Sequence, residues 1–342
     1  MNKGIIVAGS LILDRHYAVA TYPEEGRLTK IRPGQDDAGG TGNLIIDLAK
    51  LDANLSVQVS AVLGSGSAGR AVRRQLARFP NISTEGIVEH GHTSMTMVMD
   101  ADDTQQRTFF YFPGASDIFC DTYISWDKLD GDIFQLEYLL LMQGLDADDP
   151  EYGTHAARIL DKARHRGMKT SVDMVSEKSS RVPRIVNAAL RYTDYCTINE
   201  LEAQEVTGIE LVRQGALVRE NRRPVLEKLR DAGVTTWVIV HAAEGSFGMD
   251  CSTGRCYGVP NLPLPDGYIK GKTGAGDAYC AGVLYAAYRG QTILQAMELG
   301  TACASCSLSE INGTDGMRSY EQVQELYRRF RPEQEKENYE TF

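Results

Sequence analysis

Short apolar runs alternate with apolar residues at helical spacing over most of the chain. Residues 4–8, 57–63, 138–142, 169–172, 195–198 and 236–240 are runs of strand length, several rich in Val and Ile. Residues 43–51, 68–79, 152–166, 184–190, 200–207 and 224–232 set apolar side chains on one helical face. A strand followed by a helix, repeated this often, predicts a mostly parallel sheet covered by helices on both faces. Two segments break the rhythm. Residues 15–35 and 93–112 read as extended strands without helices between them, and 96–99 with 107–111 form a hairpin pattern around Asp102-Asp103. The expected organisation is a main α/β domain made of 1–14, 37–92 and 114–330. A small β lid enters it as 15–36 and 93–113, and 331–342 is a polar tail. A lid of this kind excludes water from a reacting site.

At 342 residues the chain suits one large α/β domain with a smaller insert. Its apolar fraction of 42% and charged fraction of 24% are those of an ordinary globular protein. The net charge of −10 argues against a broad nucleic-acid or membrane surface, yet a local cradle of N–H groups can still hold phosphate. The seven cysteines fall at no zinc-site spacing. Cys303 and Cys306 lie in an alanine-rich helical stretch and are read as packing. Cys251 and Cys256 flank Ser-Thr-Gly-Arg, a hairpin-turn sequence, where a disulfide and two free thiols are both open. With no signal peptide or long apolar span, the expected location is the cytoplasm.

The candidate chemistry concentrates in Gly271-Lys272-Thr273-Gly274-Ala275-Gly276-Asp277, followed at once by an apolar helical run over 278–288. Glycines allow a tight loop whose N–H groups point at one spot. The helix start adds free N–H groups and the positive end of its dipole there. Asp277 sets a carboxylate beside that oxyanion site, as a base for phosphoryl transfer to a hydroxyl would be. A capped helix behind a glycine turn is the plainer reading. A Walker P-loop fits poorly. Only three residues separate Gly267 from the Gly-Lys-Thr, Asp266 stands where the first glycine belongs, and the loop lies late in the chain.

Asp14 closes the first strand region, where open α/β sheets meet ligands, or is a turn aspartate. Asn43 follows Ala38-Gly39-Gly40-Thr41-Gly42. The glycines let backbone approach a sugar and the amide offers donor and acceptor, while an N-cap is the alternative. Asn199-Glu200-Leu201-Glu202 has the spacing of a helix-capping arrangement.

The stretch Gly-Lys-Thr-Gly-Ala-Gly-Asp-Ala-Tyr-Cys-Ala-Gly resembles the second signature of the ribokinase-like (PfkB) carbohydrate kinases, D-T-x-G-A-G-D-x-F-x-A-G. Residues 38–43 resemble the first, G-G-x-x-x-N, with Ala38 replacing a glycine, and Asn199 with Glu202 matches the N-x-x-E that lies between them. The resemblance runs from residue 4 to about 327. It implies a ribokinase-like α/β fold with a small β-sheet lid, ATP and Mg2+ as cofactors, and transfer of the γ-phosphate to a hydroxyl of a small carbohydrate. On this resemblance Asp277 is the general base and Gly274, Ala275 and Gly276 form the anion cradle. Asp14, Gly39, Gly40 and Asn43 hold the sugar. Arg107, on the second lid hairpin, joins them or is a solvated edge arginine. Asn199 and Glu202 organise Mg2+ and phosphate, largely through water. Gly245, Lys272 and Thr301 lie along the nucleotide, while His241 is read as a loop histidine. Lid pairing between subunits in relatives implies a homodimer.

Two departures stand out. The family's Asp-Thr before the loop is Gly271-Lys272 here. The aspartate that helps many relatives hold a monovalent cation is therefore missing, and Lys272 is read as fixed positive charge in the cation's place. Asp173 precedes Met174-Val175 rather than Pro-Asn, so no relative's substrate carries over. A nucleoside kinase of the same fold is one alternative, with Tyr17, Tyr22 and Phe112 lining a base pocket. A non-catalytic sugar sensor is the other, and the intact Asp277 argues against it.

Overall fold

Strand Ile5–Ala8 sends Ile5 and Val7 into one core and Ile6 and Ala8 into another, all four without exposure. A strand buried on both faces belongs inside a sheet covered on both sides. In the computed structural model, which describes residues 3–104 and 106–331, it lies within a nine-stranded sheet. The order is Arg255–Pro260, Gly245–Asp250, Trp237–Ala242, Tyr195–Asn199, Lys169–Met174, Ile133–Leu139, Ile5–Ala8, Val57–Leu63 and Ile82–Glu89. The last seven run parallel, and the first two form an antiparallel hairpin on one edge. Helices Thr41–Leu51, Ser67–Leu76, Ala275–Tyr288, Ile293–Ser307 and Tyr320–Phe330 cover one face. Helices His155–His165, Val182–Leu190, Glu200–Thr207 and Arg222–Asp231 cover the other. This is the ribokinase-like α/β architecture expected from the sequence.

A second sheet has four strands in the order Arg32–Gly40, Leu11–Val19, Ser94–Ala101 and Arg107–Phe112. Leu11–Val19 is antiparallel to the first and parallel to the third, and the last two form an antiparallel hairpin. Asp14 therefore lies in mid-strand of this small sheet rather than closing the first strand of the large one.

Three other expectations shift. The strand expected at 138–142 is Ile133–Leu139, because the buried Gln135 and Glu137 interrupt the apolar run on which the reading relied. The helix expected from Asn43 starts at Thr41, with Gly40 at its N-cap. Strand Ile82–Glu89 escaped the pattern because its first half is polar and only partly buried. All seven cysteines are free, and Cys256 faces Met249 across the edge hairpin. Among the described residues no helix is long and apolar enough to cross a membrane. The tail expected at 331–342 lies, from 332 on, outside the described residues.

Candidate active site

The parallel strands end on one edge, and the chemistry gathers there. Gly274 is the N-cap of helix Ala275–Tyr288 and has φ 75°. A Cβ there would be strained by that φ and would lie 2.5 Å from the Gly313 carbonyl oxygen. Ala275 N–H closes a turn on the Lys272 carbonyl at 3.3 Å. Gly276 and Asp277 sit in the first helical turn, whose N–H groups no preceding turn can accept. Glycine geometry and helix start thus leave first-turn N–H groups without a preceding turn to accept them, with the N–H of Ala275 diverted into the turn.

Asp277 is half-buried, and both its oxygens accept hydrogen bonds. Asn43 Nδ2 donates to Oδ2 at 2.9 Å, and Tyr138 Oη donates to Oδ1 at 2.7 Å. Asn43 is therefore no N-cap. It stands in the first turn of its helix and reaches across 234 positions of sequence to the acid. Burial holds the Asp277 pKa above the ordinary carboxylate value, and the two donors pull it back. Asp14 is pushed up to about 6, chiefly by burial, with a Thr96 hydrogen bond and His16 opposing. A Cβ at Gly39 would overlap Asp14 Oδ2, so only glycine lets the neighbouring strand pass this carboxylate.

Tyr138 was not foreseen. Successive strand residues point to opposite faces, yet Glu137 and Tyr138 both face Asp277. The φ of 63° at Tyr138 breaks the alternation at the strand's end. Glu137, fully buried, and Asp173 complete a cluster in which one oxygen of each, with one of Asp277, lies within 4.8 Å of the others. The paired polar positions Gln135 and Glu137 in a central strand were the signal that could have marked this wall.

Gly245, Lys272 and Thr301 all line one cavity of about 590 Å³ on the far side of the anion loop, together with Gly276 and Tyr279. His241 lines it too and lies within strand Trp237–Ala242 rather than in a loop; its ring lies 5.0 Å from that of Tyr279. Burial pushes the imidazole down to about 4, so it is neutral at physiological pH.

Asn199 and Glu202 form a full capping box. Asn199 Oδ1 accepts from the N–H groups of Leu201 and Glu202, both at 2.9 Å, and Glu202 Oε2 accepts from Asn199 N–H at 2.8 Å. Glu202 Oε1 accepts from Ser176 Oγ at 2.8 Å. An all-oxygen set with a carboxylate suits Mg2+, but both oxygens of Glu202 are already engaged, so the fit is through water. Arg107 spans from the small sheet to the anion loop. Its Nε donates to Asp100 at 2.7 Å, and its two terminal nitrogens donate to Thr273 Oγ1 and to the Ile311 carbonyl.

The chain as a whole is similar to known proteins. Residues 2–319 match the model of the pfkB family carbohydrate kinases. The chain is 24% identical over 330 residues to a 5-dehydro-2-deoxygluconokinase of Listeria innocua, covering 94% of this chain and 95% of that one. Over 117 residues, 34% of each chain, it is 30% identical to a 5-dehydro-2-deoxygluconokinase of Geobacillus thermodenitrificans. Among solved structures it resembles the ribokinase of Arabidopsis thaliana complexed with ribose and ATP (TM-score 0.76, 20% identity, 96% and 99% of the two chains). It resembles equally the phosphofructokinase-2 of Escherichia coli in complex with potassium (TM-score 0.76, 17% identity, 96% and 99%). With the family model matched over nearly its whole length, the chain belongs to the PfkB family of carbohydrate kinases, phosphotransferases that act on a sugar hydroxyl.

Proposed function

We propose that the protein is an ATP-dependent sugar kinase in which Asp277 is the general base. The observation that carries this is the placement of Asp277 in the first turn behind Gly274, with Asn43 and Tyr138 fixing its two oxygens. A carboxylate held at the rim of an anion cradle can serve the cradle's ligand and an entering hydroxyl at once. Asp14, the backbone at Gly39 and Gly40, and Asn43 orient the sugar. Asp277 takes the proton of its hydroxyl as that oxygen bonds to the γ-phosphorus and the bond to the ADP oxygen breaks. First-turn N–H groups meet the charge that develops on the phosphoryl oxygens. Mg2+, organised through water by Asn199 and Glu202, would supply neutralising charge to the phosphates. The nucleotide occupies the cavity lined by Gly245, Lys272 and Thr301, and Arg107 ties the small sheet to the anion loop as a lid over both substrates.

Gly271 supports the reading of Lys272 as fixed charge. A Cβ at that position would lie 2.7 Å from the Ile311 carbonyl oxygen, so the backbone packs where the family's aspartate side chain would start. A lid-to-lid homodimer, in the cytoplasm, is part of the same reading. Met97 and Phe110 are cross-strand neighbours on the small sheet, 37% and 46% exposed, with Phe112 beside them at 48%.

The test is Asp277→Asn, with ADP release and ATP binding measured in parallel. Turnover should fall by about a hundredfold or more while ATP affinity holds. Turnover within a few-fold of the native enzyme would remove Asp277 from the chemistry.

A further inference from the structure

A second cluster of chemistry-bearing side chains shares no residue with the acids around Asp277. Ligand atoms of Cys120, Asp121 and His155 lie within 4.8 Å of one another, and among the described residues the other such group is Glu137, Asp173 and Asp277. Cys120 caps and Asp121 opens a single 3-10 turn, Asp121–Tyr123. Both belong to the stretch that returns the chain from the last strand of the small sheet, Arg107–Phe112, to the central strand Ile133–Leu139. His155 is the first residue of helix His155–His165, which packs on the large sheet.

The backbone behind all three is fixed. Phe119 and Ile124, on either side of the turn, are buried in the core. His155 N–H donates to the Ala147 carbonyl at 3.1 Å, and Thr154 Oγ1 caps the helix by accepting from Ala157 N–H at 3.2 Å. The polar atoms in front are underused. His155 Nδ1 and Asp121 Oδ1 share a hydrogen bond of 2.9 Å, and Cys120 Sγ meets Thr122 Oγ1 at 3.2 Å. Among the described residues no hydrogen bond engages His155 Nε2 or Asp121 Oδ2. The His155 and Asp121 side chains are 30% and 20% exposed, so an ion can reach them from water. Arg158, one turn along the helix, is bound by Asp149 and Glu151, although its charge still reaches Asp121.

We propose that Cys120, Asp121 and His155 form a zinc site that ties the stretch returning from the small sheet to helix His155–His165. One sulfur, one imidazole nitrogen and one carboxylate oxygen are donors that zinc accepts together, whereas Mg2+ and Ca2+ take oxygen ligands. A thiolate and a carboxylate balance the ion's two charges, and water takes the fourth position of the tetrahedron. Bonds of about 2.0–2.3 Å set tetrahedral donors about 3.3–3.6 Å apart, so the side chains close in by no more than about 1.5 Å. Asp121 and His155 are 34 positions apart, a spacing that no sequence pattern for zinc contains. The plain alternative is a half-exposed His–Asp pair beside an unrelated thiol, which contributes little to stability and binds no metal.

The experiment takes the full chain, stripped of metal by a chelator, and titrates it with Co2+ and then Zn2+. One Co2+ per chain should give the sulfur-to-metal charge-transfer band of a thiolate complex. Zn2+ should abolish that band and bind with a Kd of about 1 μM or tighter. Cys120→Ser and His155→Ala should each weaken Zn2+ by about a hundredfold or more, one ligand's share of the binding free energy of a structural zinc site. In the native chain, Zn2+ should slow alkylation of Cys120 by iodoacetamide, read on its own peptide by mass spectrometry, by about tenfold or more. A missing Co2+ band, or a band that persists in both variants, overturns the site. Zinc bound equally tightly by the variants, with Cys120 alkylated at an unchanged rate, overturns it as well. Loss in Cys120→Ser without loss in His155→Ala leaves a single thiol and overturns the three-ligand site. None of these outcomes bears on the kinase reading.

Discussion

Removing the hydroxyl of Tyr138 isolates one term in the tuning of Asp277. The phenol donates to Asp277 Oδ1 at 2.7 Å, and its own pKa is driven well above 10, by burial first and by Asp277 next. It therefore stays protonated and acts as a donor throughout the working pH range. A donor to the ionised form favours that form, so Tyr138 lowers the Asp277 pKa against the burial that raises it. In Tyr138→Phe the ring remains and the donor goes. A hydrogen bond to a charged group contributes about 1.5–3 kcal/mol, which at about 1.4 kcal/mol per factor of ten lowers the ionised fraction roughly tenfold to a hundredfold below the acid limb. The measurement is kcat/KM against pH, which reports the free enzyme's base. Its acid limb should move to higher pH, with rates on the alkaline plateau close to those of the native enzyme. An unshifted limb would refute the reasoning, whether the profiles superimpose or the variant is slower by one factor at every pH. The second outcome would make Tyr138 a sugar contact rather than a tuner of the base.

Two further outcomes follow from the same geometry. Replacing potassium by tetramethylammonium should change turnover by less than about twofold, because the closely packed Gly271 stands at the signature's aspartate and the proposed fixed charge of Lys272 lies next to it; strong potassium activation would refute this. Sedimentation velocity at micromolar concentration should give a dimer, and Phe110→Glu should shift it toward monomer by setting like charges on the exposed Met97–Phe110 strip. A native protein that sediments as a monomer refutes the lid-to-lid contact.

The fold was legible because its signals are local. Each parallel strand is a short apolar run, each covering helix repeats every three to four residues, and the glycine run before Asp277 needs no distant partner to be read as an anion loop. The gathering of Gly245, Lys272 and Thr301 around one cavity was legible only through the family resemblance, since nothing local joins them. Element boundaries slipped where polar residues are buried or glycines redirect the chain. Asp14 moved from a strand end to mid-strand for that reason, and the 133–139 strand was read five residues late.

Tyr138 and Glu137 were hidden by a different cause. Their meeting with Asp277 depends on strand order, which places Ile133–Leu139 beside Ile5–Ala8 and across from the Ala275–Tyr288 helix. Hydrophobic periodicity does not encode that order. A trace was nevertheless present. Gln135 and Glu137 lie two apart in a strand whose neighbours Phe134 and Leu136 are fully buried. Burying a polar group without a partner costs about 1–3 kcal/mol and a charge far more, so two on one face of a central strand imply a compensating group, a ligand or both. An apolar-run criterion rejects such a strand, whereas a test for alternation with a polar inner face accepts it. In this chain that alternation ends at Tyr138, which has a positive φ and whose own side chain meets the same acid as Glu137. The break in the pattern and the working face of the site are therefore one feature: a strand end bent so that two consecutive residues face Asp277.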